Sequence, residues 1–203
     1  MVEMVRNDND GWQRVKEAAR ATIGKEGSGK EPTDAWKKQI LLAEHSPIRL
    51  LQYTIKFKNI PYFVVMHLCR HSIGISHFVK SQREDRSETH AKRSDLPQDA
   101  PVDYEMVANA QALINISRKR LCNQAAKETR EAWEEAVDLI SKADPVMGSV
   151  LVPECIYRGG CVEKFNPCGL WNNISKKMSK DEIANVEKRY DYYYEWKKKQ
   201  QKN

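Results

Sequence analysis

Two arginines, a histidine and a serine are grouped at Arg70-His71 and Ser81-Gln82-Arg83, just after an apolar segment, Pro61 to Cys69, that reads as a buried helix. A guanidinium is a planar, permanently charged fork of N–H donors that matches phosphate oxygens. Such groups at the end of a buried element point to a phosphorylated ligand, although basic residues after a helix also suit a solvated cap. A second group, Asn109, Asn115 and Arg120, lies further along the chain. Its spacings are not three or four residues, so the three side chains wind around a helix rather than share one face. Asn is a mediocre helix former. Two of them in one helix suit either an exposed face or a ligand.

Capping and periodicity give the elements that must hold these groups. Asn9-Asp10 can cap a helix from Trp12 to Ile23 that Gly24 ends, and Thr33 a second one through Ala43 before Pro47 interrupts. The Gly24–Lys30 stretch has the glycines of a phosphate loop, but Glu31 follows the lysine and a helix precedes it, so it reads as a linker. Leu50 to Phe57 alternates with β-branched and aromatic residues and predicts a strand, and Asn59 and Pro61 predict a helix start. Ile75 to Lys80 reads as a second strand and Arg83 to Asp103 as a charged loop. Asp103 is then expected to cap a long amphipathic helix with Val107, Ala110, Leu113 and Ile114 on its apolar face. A helix from Gln124 to Lys142, an irregular Asp144–Trp171 stretch and a polar helix from Asp181 to Lys198 complete the chain, with the aromatic run Tyr190–Trp196 expected to cover core. The fold class is helix-rich α+β with a small, mainly antiparallel sheet.

With 203 residues and 31% charged residues, the chain suits one soluble globular domain with a real core. No run approaches the roughly 18 apolar residues of a membrane span. Met1 to Arg6 lacks the apolar core of a signal peptide. A cytoplasmic protein with five reduced cysteines is the expectation. The net charge of +6 owes much to Lys197, Lys198, Lys199 and Lys202, which read as a solvated helix end. No aromatic-basic module accompanies them, which disfavours nucleic acid as a partner.

The two clusters together resemble the flavin-dependent thymidylate synthases. That family's signature, Arg-His-Arg followed by a Ser-x-Arg, stands here as Arg70-His71-Ser72 and Ser81-Gln82-Arg83. Its Asn-Ala-Arg-Ser-Leu helix ending in arginine is similar to Asn109-Ala110-Gln111-Ala112-Leu113 through Arg120, with Ala125 and Glu128 continuing the pattern. The resemblance covers about Ser46 to Ala132. It implies one domain over 1–203, with an N-terminal helical extension (1–45) and a divergent C-terminal region (145–203). It also implies FAD as cofactor, NADPH and methylenetetrahydrofolate as co-substrates, dUMP or a related pyrimidine nucleotide as substrate, and a homotetramer whose sites combine several subunits.

Carried over by motif, the resemblance gives Arg70, His71, Ser72, Asn109, Gln111 and Asn115 to the flavin. His67, Arg70, Ser81, Arg83 and Arg120 go to the nucleotide, with Arg120 the catalytic cation at the pyrimidine edge. The chain departs from the family at Ser72 and Gln111, each in place of an arginine, and at Val79 in place of a glutamate. Gln124 stands where some members carry histidine, and the Arg83–Asn109 stretch is short. Arg158 could supply a missing phosphate contact. The resemblance implies reductive methylation of dUMP to dTMP. The other readings are flavin-dependent hydroxymethylation or modification of a related pyrimidine nucleotide, a nucleotide-binding protein on the same fold without turnover, and a structural or nucleic-acid-binding protein using its lysine tail. No metal is assigned to the site. Cys155, Cys161 and Cys168 lack a CxxC pair and read as packed, reduced thiols, with zinc plus a fourth ligand such as Cys122 or a histidine as the alternative.

Overall fold

The structure is a computed structural model and describes residues 1–6, 11–86 and 91–200. Its centre is an antiparallel sheet of four strands: β1 (Val2–Arg6), β2 (Gln52–Pro61), β3 (Ile75–Val79) and β4 (Pro101–Asn109). The strand order is β1-β2-β4-β3. The register pairs Tyr53 with Ala108, Ile55 with Met106 and Phe57 with Tyr104. These six side chains are buried on one face. Each large one contributes about 1.5–3 kcal/mol through burial.

Helices cover that face. They are α1 (Gly11–Ala21), α2 (Asp34–Leu42), α3 (Tyr62–Cys69), α4 (Ala110–Arg120), α5 (Lys127–Ala143), α6 (Pro145–Gly148), α7 (Glu154–Arg158), α8 (Leu170–Ser175), α9 (Lys180–Ala184) and α10 (Val186–Gln200). The helix-rich α+β class with a small antiparallel sheet is thus the observed one. Thr33 caps α2 as expected, accepting from the Trp36 N–H. The Asn9-Asp10 cap expected for α1 lies outside the described residues. Tyr190 and Tyr193 of α10 are buried, so the aromatic run does cover core. The Gly24–Lys30 stretch is a turn and coil, with no helix before Asp34. No described helix is long and apolar enough to cross a membrane.

Four segments differ from expectation. The Asp144–Trp171 stretch, read as irregular, holds the short helices α6 and α7. The helix read over Asp181–Lys198 is two, α9 and α10, parted where Asn185 takes an extended ψ of 115°. Met1–Arg6 joins the sheet as β1, paired to β2 from Val2↔Phe57 to Arg6↔Tyr53. Asp103 caps no helix, because its segment is β4. Val102, Tyr104, Met106 and Ala108 alternate into the core, and two flanking strands satisfy the backbone, which outweighs the helical spacing of Val107, Ala110 and Leu113. The Asp103 carboxylate instead accepts the Asn59 N–H at 2.9 Å, across a β2 bulge where Asn59 takes φ 56°. That hydrogen bond is the main reason its carboxyl sits below the usual range. The strand therefore runs through the bulge to Pro61, where α3 begins.

The N-terminal segment is bolted to the core by one buried carboxylate. Asp144 accepts from Trp12 Nε1 at 2.8 Å, Tyr53 Oη at 3.0 Å and the Met147 N–H at 3.0 Å. A buried carboxylate held by several donors is tolerated where an isolated one would be expelled.

The turn into β3 depends on Gly74. Its φ is +75°, and a Cβ there would lie 2.5 Å from Asn109 Nδ2. Its carbonyl accepts the Asn109 N–H, while Asn109 Oδ1 caps α4 through the Ala112 N–H at 2.9 Å. Gly74→Ala is expected to cost about 2 kcal/mol in urea unfolding, from left-handed strain and overlap. Asn109→Ala should cost about 1 kcal/mol as a lost cap. The double variant should cost less than the sum, because the second substitution removes the obstacle the first one meets.

Candidate active site

The candidate site lies where α3 and α4 both end. Arg120, in the last turn of α4, is half-buried and sends its Nε–H to His71 Nε2 at 3.1 Å. An Nη2 N–H of the same guanidinium donates to the His67 carbonyl. These contacts use backbone and imidazole rather than acid. Among the described residues neither Arg120 nor Arg70 has a carboxylate partner. Burial first, and then the charge of Arg70, lowers the Arg120 pKa. The two guanidiniums therefore repel each other without a carboxylate partner among the described residues, an arrangement that an arriving anion relieves.

Two histidines adjoin Arg120, both held towards neutrality. Burial, followed by Arg120, His77 and Lys119, brings His71 down to about 4. Because His71 Nε2 accepts from Arg120, its proton resides on Nδ1. Burial, then Arg120 and Arg70, lowers His67, whose Nδ1 meets Thr129 Oγ1 of α5 at 2.8 Å. The turn bearing Arg70 and His71 is pinned from the sheet. His77 of β3 donates from Nε2 to the His71 carbonyl at 2.7 Å, while its Nδ1 accepts from Tyr104 Oη at 2.6 Å. Burial pushes the Tyr104 hydroxyl far up, so it stays a neutral donor. Arg70 is exposed and lines a hollow of about 420 Å³ with Phe63, Met66, His67 and Gln98.

The other sequence-derived residues fall elsewhere. Ser81 lines a second hollow, of about 390 Å³, with Lys80, Gln82, Arg86 and Pro101. The whole of β3, about 17 Å at the usual strand rise, separates it from the Arg70 turn. Arg83 is exposed and held bidentately by Asp85 at 2.9 and 3.0 Å. Lys80 and Arg86 are thus the cations beside Ser81, and their adjacency to Ser81-Gln82-Arg83 was a signal available in the sequence. Ser72 is exposed in the Arg70 turn. Asn109 precedes α4 rather than lying in it.

Gln111 and Asn115 face away from Arg120. Gln111 Nε2 donates to Glu44 Oε2 at 2.6 Å, and Asn115 is exposed beside it. The same Glu44 pairs with Arg118, whose guanidinium lies 3.5 Å over the Tyr157 ring. No sequence pattern joined Glu44, Arg118 and Tyr157, which come from three distant segments.

The family described as thymidylate synthase complementing protein (Thy1) has a model that matches residues 84–146. This stretch holds Asn109 to Arg120 but not Arg70 to Arg83. No curated protein matches the sequence. Among solved structures, the chain is similar to thymidylate synthase X (ThyX) from Helicobacter pylori with FAD and dUMP, at 16% identity and TM-score 0.59, over 74% of this chain and 97% of that one. A second structure of the H. pylori flavin-dependent ThyX, also with FAD and dUMP, gives 15%, 0.59, 74% and 99%. The UMP/dUMP methylase PolB from Streptomyces cacaoi, bound with 5-Br dUMP, gives 16%, 0.56, 74% and 94%. At these identities the likeness establishes a ThyX-type fold. The family match runs through β4, α4 and α5 and spans under a third of the chain.

Two outcomes follow from this geometry. Glu44→Gln leaves the Arg118 guanidinium, only 11% exposed, without its counter-charge, and should destabilise the protein by about 3 kcal/mol in urea unfolding. The second concerns pH. His71 is lowered to about 4 in the fold and titrates near 6.5 when unfolded. Between those values the unfolded chain binds more protons, so stability is full above about pH 6.5 and falls as pH drops towards 4. His71→Asn should flatten the urea-midpoint profile across that window.

Proposed function

We propose that the protein methylates dUMP reductively to dTMP in the cytoplasm, with FAD as cofactor and methylenetetrahydrofolate and NADPH as co-substrates. The observation that carries this reading is the Arg120 guanidinium, fixed by His71 and the His67 carbonyl and without a carboxylate among the described residues. A half-buried, preoriented cation stabilises negative charge developing on a pyrimidine ring without a nucleophile. Its orientation exists before substrate arrives, so none need be purchased during reaction.

The residues present fit an anionic flavin nucleotide in one respect above others. Arg70 is exposed, unpaired with acid and backed by neutral His71, a donor set suited to phosphate. Asn115 and Ser72 offer exposed hydrogen-bonding groups at the flavin positions, and Asn109 keeps its amide nitrogen unspent by the cap. Flavin, when bound, supplies the hydride chemistry. The chain's own residues bind and orient: Arg70 and His71 hold phosphate, His67 flanks the nucleotide, and Arg120 faces the pyrimidine edge. On this reading Ser81, with Lys80, Arg86 and an Arg83 released from Asp85, takes the dUMP phosphate.

The length of β3 between the Ser81 hollow and the Arg70 turn within one chain favours sites built between subunits of a homotetramer. A second reading has a specific observation behind it. Gln111, where the family carries arginine, is spent on Glu44, and Ser72 brings no charge. Fewer cations favour modification or hydroxymethylation of a related pyrimidine nucleotide.

Incubation with FAD, NADPH, methylenetetrahydrofolate and dUMP, followed by mass analysis of the nucleotide, separates these readings. Thymidylate supports the first, a hydroxymethyl product the second, and unchanged dUMP opposes both. Arg120→Ala should lower kcat by about 10²–10³-fold while leaving the unfolding midpoint near wild type.

A further inference from the structure

Thr129 lies near the start of α5 and is fully buried, although its side chain is polar. Its hydroxyl has one partner among the described residues, the Nδ1 of His67 on α3, at 2.8 Å. The hydroxyl is placed by the core. Trp133, one turn further along α5, donates from Nε1 to Ser117 Oγ of α4 at 3.0 Å, and both residues are buried. Helix α5 is thereby locked to the helix that carries Arg120. The His67 ring is held in turn by the edge-on ring of Phe63, 5.8 Å away between centroids, and its carbonyl by Arg120.

A neutral imidazole and a hydroxyl can share this contact in two ways. Either Nδ1–H donates to Oγ1, or Oγ1–H donates to Nδ1. The first strands the hydroxyl proton in the core, because Thr129 bonds no helix carbonyl among the described residues. Ser141 of the same helix does have that outlet, donating to the Val137 carbonyl at 2.7 Å. A buried donor without an acceptor costs its full desolvation penalty. The second arrangement satisfies the hydroxyl and leaves the ring proton on Nε2. That nitrogen has no partner among the described residues, and His67 lines the hollow of about 420 Å³ with Arg70. Its N–H is therefore the one left for a ligand.

We infer that Thr129 is a positioning residue: its hydroxyl holds His67 as the Nε2–H tautomer, which makes His67 a donor and not an acceptor towards the nucleotide base. Resting on the nucleotide reading above, this tautomer gives the site a means of discrimination. Arg120 donates to the His67 carbonyl, so His67 adjoins the cation assigned to the pyrimidine edge. A uracil ring offers carbonyl oxygens to such donors. Cytosine carries an amino group in place of one of those carbonyls, and donor then meets donor. A site built to hydrogen-bond one group refuses the analogue that leaves it unpaired. Without the Thr129 hydroxyl the neutral ring is free to carry its proton on Nδ1 and to accept from the amino group, so the refusal weakens.

Nitrogen NMR of the full chain labelled at histidine reads the tautomer without any ligand. Wild-type His67 is expected to carry its proton on Nε2, with Nδ1 accepting. Thr129→Ser should keep that form, and Thr129→Val, which has the shape but not the hydroxyl, should lose it. A wild-type His67 protonated on Nδ1 overturns the inference, and this readout needs no variant to fold. Calorimetric titration with dUMP and dCMP reads the consequence. Thr129→Val should narrow the preference for dUMP about 10-fold, the worth of one hydrogen bond. Thr129→Ser should restore it, whereas a packing role for the methyl group predicts the opposite order. An unchanged preference in Thr129→Val overturns the inference and leaves the proposed function standing. Wild-type protein that binds neither nucleotide removes the proposed function, and this inference with it.

Discussion

Everything in the site rests on holding a guanidinium half-buried without giving it a carboxylate. Arg120 is fixed by a histidine nitrogen and a main-chain carbonyl, and the charge of Arg70 repels it. Such a cation is costly in the free protein, because it has lost water and gained no counter-charge. The surrounding structure must over-determine its position. The His77 ring does this from the sheet side, gripping the His71 carbonyl while Tyr104 grips His77. The sheet register that stacks Tyr104 on Phe57 is therefore a requirement of the site as well as of the core.

The contrast with Arg118 shows two uses of arginine on one helix. Arg118 is paired with Glu44 and stacked on Tyr157, so its charge is spent on cohesion between α4, the α2 terminus and α7. Arg120, two residues later, bonds His71 and the His67 carbonyl and meets no carboxylate among the described residues. Buried Asp144 performs the first kind of task for the N-terminal segment, drawing Trp12, Tyr53 and the Met147 backbone onto one carboxylate. These structural charges are neutralised locally, whereas Arg70 and Arg120 are not paired with acid among the described residues.

Much of this was legible in the sequence. Arg70-His71 and Arg120 were singled out by residue type and position, and the fold brings them into one cluster. Helix α3, the β3 strand and the α5 helix follow from apolar runs and periodicity. β4 was misread because Val107, Ala110, Leu113 and Ile114 satisfy a helical template while Asp103 imitates a cap. The competing alternation of Val102, Tyr104, Met106 and Ala108 decides only once two partner strands exist. β1 was missed for the same reason, since a five-residue strand at a terminus has no local signal apart from its partner. Glu44, Arg118 and Tyr157 were invisible because contact between distant segments leaves no spacing rule. The gap between Arg70 and the Ser81 hollow was likewise hidden: one motif spans both, yet β3 holds them apart.

The central claim is that the uncompensated Arg70–Arg120 pair receives an anionic nucleotide or flavin. A crystal structure of the protein grown with FAD and dUMP tests it most directly. The account requires ligand oxygens within hydrogen-bond distance of both guanidiniums, with the pyrimidine edge on Arg120. Either ligand bound elsewhere, with Arg120 still on His71 and the His67 carbonyl and solvent alone before Arg70, would contradict it.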